Sequence, residues 1–255
     1  MKKGMVFAAL SEPGDVRAKN QDNLYCCDGF YLPVMNEGMR EVHEGTLEKS
    51  GGALFSVFDG MGGESAGETA AYLAASAMAE AYERRRRWTF RSCTDTWLKN
   101  YCYMAGATIN RFRARERYHA VGTTMAAVAV KNAKVIFCNV GDSRIYRISA
   151  GTLQQLSEDH VEKNSLFRNA PLTQYLGLPE EEAIIEPYIG SCKYIRGDRY
   201  LICTDGVWSS LVDPLIFELV GREDKSPDQC VKDLMQSVHE YGGRDNASAI
   251  LLSLT

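Results

Sequence analysis

The apolar positions of this chain fall into short runs whose period changes along the sequence. Residues 5–10 and 23–27 read as strands separated by the turn residues Ser11-Glu12-Pro13-Gly14. Residues 28–52 are polar and carry Gly38, Gly45, Gly51 and Gly52, which predicts a long loop or irregular hairpin. Leu54-Phe55-Ser56-Val57-Phe58 is a short buried strand expected to stop at Asp59-Gly60-Met61-Gly62-Gly63.

The period then becomes helical. Ala70, Leu73, Ala74, Ala77, Met78 and Ala81 share one face of a helix over about 64–87. The basic run Arg84 to Arg87 closes it as a solvated cap, where the helix dipole favours cations. A second helix spans about 94–117, with Trp97, Tyr101, Met104, Thr108 and Phe112 marking its buried face. Strands return at 123–130, 133–140, 143–149 and 153–156, joined by turns at Lys131-Asn132 and Ala150-Gly151-Thr152. Residues 157–182 are polar and irregular. Strands resume near 184–189 and 199–203, short helices near 213–220 and 227–241, and 247–254 is a closing strand. Ser226-Pro227-Asp228-Gln229 carries the signature of a capped helix start. The order of elements predicts an α+β chain, one domain over 1–255, with antiparallel sheets covered by helices.

Composition narrows the picture. The 255 residues are 45% hydrophobic and 24% charged, enough apolar content to bury a core. Acids outnumber Lys plus Arg by 33 to 29, a net charge of −4, which argues against a protein that mainly coats nucleic acid or an anionic membrane. The run Met5 to Leu10 is too short to span a bilayer and is broken at once by a turn. The eight cysteines show no Cys-x-x-Cys spacing and several lie inside apolar runs, as reduced thiols of a cytoplasmic protein do.

Five aspartates share a local context. Asp22, Asp59, Asp142, Asp205 and Asp245 each sit at the mouth of an apolar strand. The plainer reading of any one of them is a turn former. If several such strand ends gathered at one edge, their carboxylates would need a cation to stay ionised, and all-oxygen ligands select Mg²⁺ or Mn²⁺.

These residues sit in recognisable words. Arg17-Ala18-Lys19-Asn20-Gln21-Asp22, Phe58-Asp59-Gly60-Met61-Gly62-Gly63, Val121-Gly122-Thr123-Thr124, Asn139 to Arg147, Cys203-Thr204-Asp205-Gly206 and Arg244-Asp245-Asn246 follow one another from near residue 5 to 254. The set resembles the metal-dependent protein serine/threonine phosphatases of the PPM or PP2C type, in the wording of their bacterial branch. The resemblance implies a four-layer α-β-β-α sandwich with a two-metal centre at one edge. Asp59 would bridge two Mn²⁺ or Mg²⁺ ions, Asp205 and Asp245 would hold the first, and Asp22 the second, with the Gly60 carbonyl beside it. Asp142 with Asp205 would hold a third, weaker ion, and Arg17 would grip the substrate phosphate. A metal-bridging hydroxide would attack phosphorus in line, with no covalent intermediate. The implied partners are phosphoproteins, substrates of a cognate Ser/Thr kinase, and that kinase itself; a monomer acting in the cytoplasm is expected.

The chain departs from the pattern at three places. Met61 stands where many relatives have a His proposed to protonate the leaving group, and Gln21 where many have an acid. Glu64 replaces a His that bacterial relatives often place after the Gly-Gly pair. Asp159-His160 falls in the place of the family's variable flap, about 157–182, and reads as flap structure rather than catalysis. A nucleotide-binding reading of Gly60, Gly62 and Gly63 fails, because Ser65 stands where the dinucleotide fingerprint needs glycine and no Gly-Lys-Ser/Thr follows. A non-catalytic phosphoprotein binder is opposed by the retained aspartates and Arg17.

Overall fold

The computed structural model describes residues 4–48, 52–62, 66–87, 93–131, 133–162 and 170–255. Its elements are β1 (Gly4–Glu12), β2 (Asp22–Tyr25), β3 (His43–Glu48), β4 (Ala53–Gly62), α1 (Ala66–Arg87), α2 (Thr94–Glu116), β5 (Val121–Thr123), β6 (Met125–Lys131), β7 (Lys134–Val140), β8 (Arg144–Ser149), β9 (Thr152–Gln155), β10 (Tyr188–Lys193), β11 (Arg199–Cys203), α3 (Asp205–Trp208), α4 (Asp213–Val220), α5 (Pro227–Glu240) and β12 (Ala247–Leu254).

Strand β4 shows why the apolar runs are continuous rather than alternating. Ala53, Phe55 and Val57 point between two sheets, against Phe7, Val128, Ile250 and Leu252. Leu54 and Phe58 point the other way, onto Ala70, Ala74 and Met78 of α1 and Leu98 and Ile109 of α2. A strand covered on both faces has no side on which polar residues are favoured. The two antiparallel sheets have the orders β3-β1-β12-β11-β8-β9 and β10-β7-β6-β4-β2, with β5 added to the far end of β4. Ala249 and Leu251 of β12 back onto Val231, Leu234 and Val238 of α5. The result is an α-β-β-α sandwich, the α+β architecture expected. Each large side chain in the middle layer contributes roughly 1.5–3 kcal/mol of burial, and truncating Phe55 to Ala would cost about 3–5 kcal/mol.

Several local expectations need correction. The stretch read as a long loop or irregular hairpin over 28–52 contains β3, which pairs along β1 from Gly4↔Glu48 to Ala9↔His43. Its alternating half-buried and exposed residues make a weak edge strand, where outward Glu44, Thr46 and Glu48 lower the apolar signal. The strand read at 184–189 is β10, four residues further on, a half-exposed edge beside β7. β4 does not stop at Asp59 but continues to Gly62 by exchanging β6 for β5 as its partner.

On α2, Tyr101 is buried and Trp97 and Phe112 pack against the core as expected, but Met104 is 55% exposed and Leu98, Cys102, Ala105 and Ile109 complete the buried face. Gly106 sits at a crowded point of this face, where a Cβ would lie 2.5 Å from Ile185. Arg85 is not a free cap, since its guanidinium lies over the Trp97 ring and bonds Thr94. The Ser226–Gln229 box does not close; Gln229 donates to Asp233 at 2.8 Å instead. The turn expected at Ala150-Gly151 forms, with both residues at positive φ as a two-residue hairpin requires. Among the described residues, no helix is long and apolar enough to cross a membrane.

Candidate active site

β2 and β4 pair so that Asp22 stands directly opposite Asp59. Opposed residues of an antiparallel pair share a face. Here it is the face of Leu24 and Val57, so both carboxylates emerge at one end of the layer between the sheets. Asp59 lies where β4 changes partner, and the Thr123-Thr124 pair clamps its backbone. The Asp59 carbonyl accepts from Thr123 Oγ1 and Thr124 N, each at 2.9 Å, and its N–H donates to Thr124 Oγ1 at 3.1 Å. Ser143 Oγ holds Thr124 Oγ1 at 2.6 Å. Gly60 admits no side chain: a Cβ there would run into the carbonyl oxygens of Gly67 and Gln21.

The other sheet supplies the rest. Asp205 opens α3 directly after β11, and Asp245 precedes β12. Thr204 Oγ1 donates to Asp22 Oδ2 at 2.8 Å and accepts from Ser248 N at 2.9 Å. Ser248 Oγ also donates to Asp22 Oδ2, at 2.7 Å. A carboxylate on one sheet is thereby stitched to two hydroxyls on the other. Asn246 fastens the segment before β2: its Oδ1 accepts from Gln21 N, and its Nδ2 donates to the carbonyls of Pro13 and Lys19.

The electrostatics are those of crowded acids. Burial, partly offset by the Ser248 and Thr204 bonds, pushes Asp22 up to about 7. Burial and then the charges of Asp205, Asp22 and Asp142 push Asp59 well above the usual carboxylate range. Asp59 and Asp205 share a hydrogen bond, and burial with the Asp245 charge raises Asp205. Asp142 is pushed up to about 7 by burial and Asp205. Arg17 is half-exposed and donates from Nη2 to Asp245 Oδ2 at 2.8 Å.

This donor set fits hard divalent cations. It is all oxygen, its carboxylates disfavour one another's ionisation, and Asp22 Oδ1 is buried without a hydrogen-bond partner. Among the described residues, no three His, Cys, Asp or Glu side chains already form a closed cage. Arg17 draws Asp245 aside, and Asp22 is turned onto Thr204 and Ser248.

The structure thus brings Arg17, Asp22, Asp59, Gly60, Asp205 and Asp245 to one edge, with Asp142 in electrostatic reach of Asp59 and Asp205. Met61 pairs with Gly122 in the short β4–β5 ladder. Gly63, Glu64 and Ser65 lie outside the described residues, as do residues 163–169 of the stretch expected to be a flap. Asp159 and His160 tie the segment after β9 to Arg144 and Gly141. Arg144 grips Asp159 from Nε and Nη2 and stacks 3.8 Å from the Trp208 ring centroid, while Trp208 Nε1 donates to the Asp142 carbonyl. His160 Nδ1 accepts from Gly141 N at 3.1 Å, and burial lowers its pKa.

Thr124, Thr204 and Asn246 stand in the quoted words without an assigned role, and Ser248 lies outside them. A signal existed for Ser248: it is the one hydroxyl in the first six residues of β12, Ala247-Ser248-Ala249-Ile250-Leu251-Leu252. All eight cysteines are free thiols; six are buried, Cys93 is exposed and Cys192 is intermediate.

Comparison with known proteins agrees with this geometry. The family model described as protein phosphatase 2C matches residues 43–249. Protein phosphatase PhpP of Streptococcus pneumoniae is 26% identical over 264 residues, covering 98% of each chain. Serine/threonine phosphatase stp of Listeria welshimeri is 27% identical over 211 residues, covering 77% of this chain and 82% of the relative. Among solved structures, the Mycobacterium tuberculosis serine/threonine phosphatase PstP/Ppp superposes with a TM-score of 0.79 at 22% identity, covering 98% of this chain and 99% of that one. The catalytic domain of PstP, described in complex with two manganese ions, superposes with a TM-score of 0.77 at 24% identity, covering 99% of both chains. The chain therefore belongs to the protein phosphatase 2C family of protein serine/threonine phosphatases.

Proposed function

We propose that this protein hydrolyses phosphoserine and phosphothreonine esters in proteins by direct attack of water on phosphorus, at the edge where Asp22, Asp59, Asp205, Asp245 and Arg17 meet. The observation that carries the reading is the buried carboxylate set with the unpartnered Asp22 Oδ1. Asp59, Asp205 and Asp245 would hold one Mn²⁺ or Mg²⁺, and Asp59, the Gly60 carbonyl and Asp22 a second; Asp142 with Asp205 would hold a third, weaker one. When bound, such cations acidify water and neutralise phosphoryl charge.

The chain's own groups do the rest. The Asp59 backbone is positioned by three hydrogen bonds from the Thr123-Thr124 pair, so the ligand edge is set before substrate arrives. Arg17, on the exposed rim, binds two phosphoryl oxygens through its planar guanidinium in exchange for its bond to Asp245. Met61 carries no transferable proton, so the leaving serine or threonine oxygen takes its proton from water. No thiol need act as nucleophile: burial raises the Cys26 and Cys203 thiols above their ordinary range, and a hydrogen bond with Cys102, then burial, raises Cys138. His160 holds the flap base against Gly141. The protein acts as a single catalytic domain and a monomer in the cytoplasm, on substrates of a Ser/Thr kinase and on that kinase.

The test is release of phosphate from an aryl phosphate ester and from phosphoserine, phosphothreonine and phosphotyrosine peptides. Mn²⁺-dependent, EDTA-sensitive turnover, with the serine and threonine peptides preferred, is expected. Turnover unaffected by EDTA, or confined to phosphotyrosine, would overturn the reading.

A further inference from the structure

A groove of about 720 Å³ runs between the end of β1, the segment before β3 and α5. Its floor is apolar, with Leu10, Val42 and Met235. Its rim is acidic: Glu12, Glu41, Glu44, Asp228 and Glu240 stand against Arg40, Lys232 and His239. Two of the cations are engaged. Lys232 lies 3.5 Å from Asp228, and His239 is held between Glu12 at 3.0 Å and Asp15 at 2.9 Å. Among the described residues, no ion pair is formed to Glu41 or Glu44. The groove therefore presents net negative potential over an apolar floor.

One short segment of chain links the groove to the catalytic edge. Glu12, in its wall, and Arg17, at the site, lie on one segment five residues apart, which spans at most ~17 Å when extended. That segment is pinned to the residues before β12: Asp15 N donates to Gly243 O at 2.7 Å, and Arg17 meets Asp245. A chain with its phosphoester at Arg17 reaches the Glu12 wall with about five of its own residues.

Resting on the phosphatase reading, we propose that this groove docks a basic, partly apolar segment of the phosphoprotein substrate, about five positions from the phosphorylated residue. Lysine or arginine side chains meet Glu41, Glu44 and Glu240, and interleaved apolar residues cover Leu10, Val42 and Met235. An acidic segment is repelled by the same rim. Recognition is thus divided: the catalytic edge reads the phosphate, and the groove reads its flank.

The test uses the full chain and fluorescent peptides around one phosphothreonine. A Lys/Leu block is placed five residues to the N-terminal side, five residues to the C-terminal side, or replaced by a Glu/Leu block. Unphosphorylated versions are titrated by fluorescence anisotropy, which needs no catalysis. At least one basic peptide is expected to show a KM roughly tenfold below the acidic one, and its unphosphorylated version to bind. The double substitution Glu41→Lys/Glu44→Lys should abolish that difference while leaving aryl phosphate kinetics unchanged, and about 0.5 M NaCl should weaken it by screening. Equal KM for basic and acidic peptides with normal aryl phosphate turnover, or a preference that survives the double substitution, overturns the docking groove. Charge-selective binding without phosphate release from any ester would leave the groove standing and overturn the phosphatase reading instead.

Discussion

The Arg17 guanidinium sits 2.8 Å from the Asp245 carboxylate, so the residue expected to grip phosphate is paired with one expected to hold a cation. The nearby acids make Arg17 a still more permanent cation: the Asp245 hydrogen bond and charge raise its pKa. Arg17→Lys keeps the charge but loses the planar fork. It should lower kcat/KM on phosphopeptides by roughly tenfold, and Arg17→Ala by about 10²-fold. Calorimetric Mn²⁺ titration should show near-wild-type metal binding in both. A kcat/KM unchanged in Arg17→Ala would remove Arg17 from the reaction.

Asp59 and Asp205 are raised by burial first and by neighbouring carboxylates next. Replacing either with Asn removes a charge from a crowded set. In EDTA the Asp59→Asn and Asp205→Asn variants should melt no lower than wild type. Added Mn²⁺ should raise the melting temperature of the wild type but not of the variants, because only a bound ligand shifts the unfolding equilibrium. Turnover should fall on the order of 10²-fold or more. Wild-type turnover at saturating Mn²⁺ would sink the ligand assignment.

Thr204 serves two partners, donating to Asp22 and accepting from Ser248 N. Thr204→Val nearly preserves shape but strands a buried N–H and removes one donor from a buried carboxylate. A loss of about 1–3 kcal/mol in urea unfolding is expected, with Thr204→Ser close to wild type. An unchanged urea midpoint in Thr204→Val would show that the inter-sheet stitch contributes nothing.

His239 lies between Glu12 and Asp15. Burial pulls its pKa down, but hydrogen bonds to the two carboxylates outweigh it and raise the value above 6.5. The folded protein therefore favours the imidazolium. The stabilisation is complete below the unfolded-state value and fades as pH rises through the folded-state one. The melting-temperature gap between wild type and His239→Gln should be widest near pH 6 and close toward about pH 9. A gap constant across that range would show that the pair carries no charge-dependent stability.

Much of this protein is legible along the chain, and the legible parts are local. The helical period of Ala70, Ala74 and Met78, the Ala150-Gly151 turn and the long apolar strands follow from neighbours within a few positions. The spaced words around Asp22, Asp59, Asp205 and Asp245 carry the family likeness, because chemistry at an edge needs particular residues at particular strand ends.

What the chain order does not contain is pairing. β3 was invisible because an edge strand buries only half of each alternate residue, and its partnership with β1 is settled by register. The exact face of α2 is set by packing: Tyr101, Trp97 and Phe112 lie on it, but Met104 turns outward while Leu98, Cys102, Ala105 and Ile109 turn in. The site shows the same division. Sequence named the carboxylates, but only the meeting of two sheets placed Thr204 and Ser248 on Asp22, and only β-register set Asp22 opposite Asp59. Residues 182 and 226 positions apart become hydrogen-bond partners through packing of the middle layer. That packing is a non-local sum of buried area, which no short window of sequence reports.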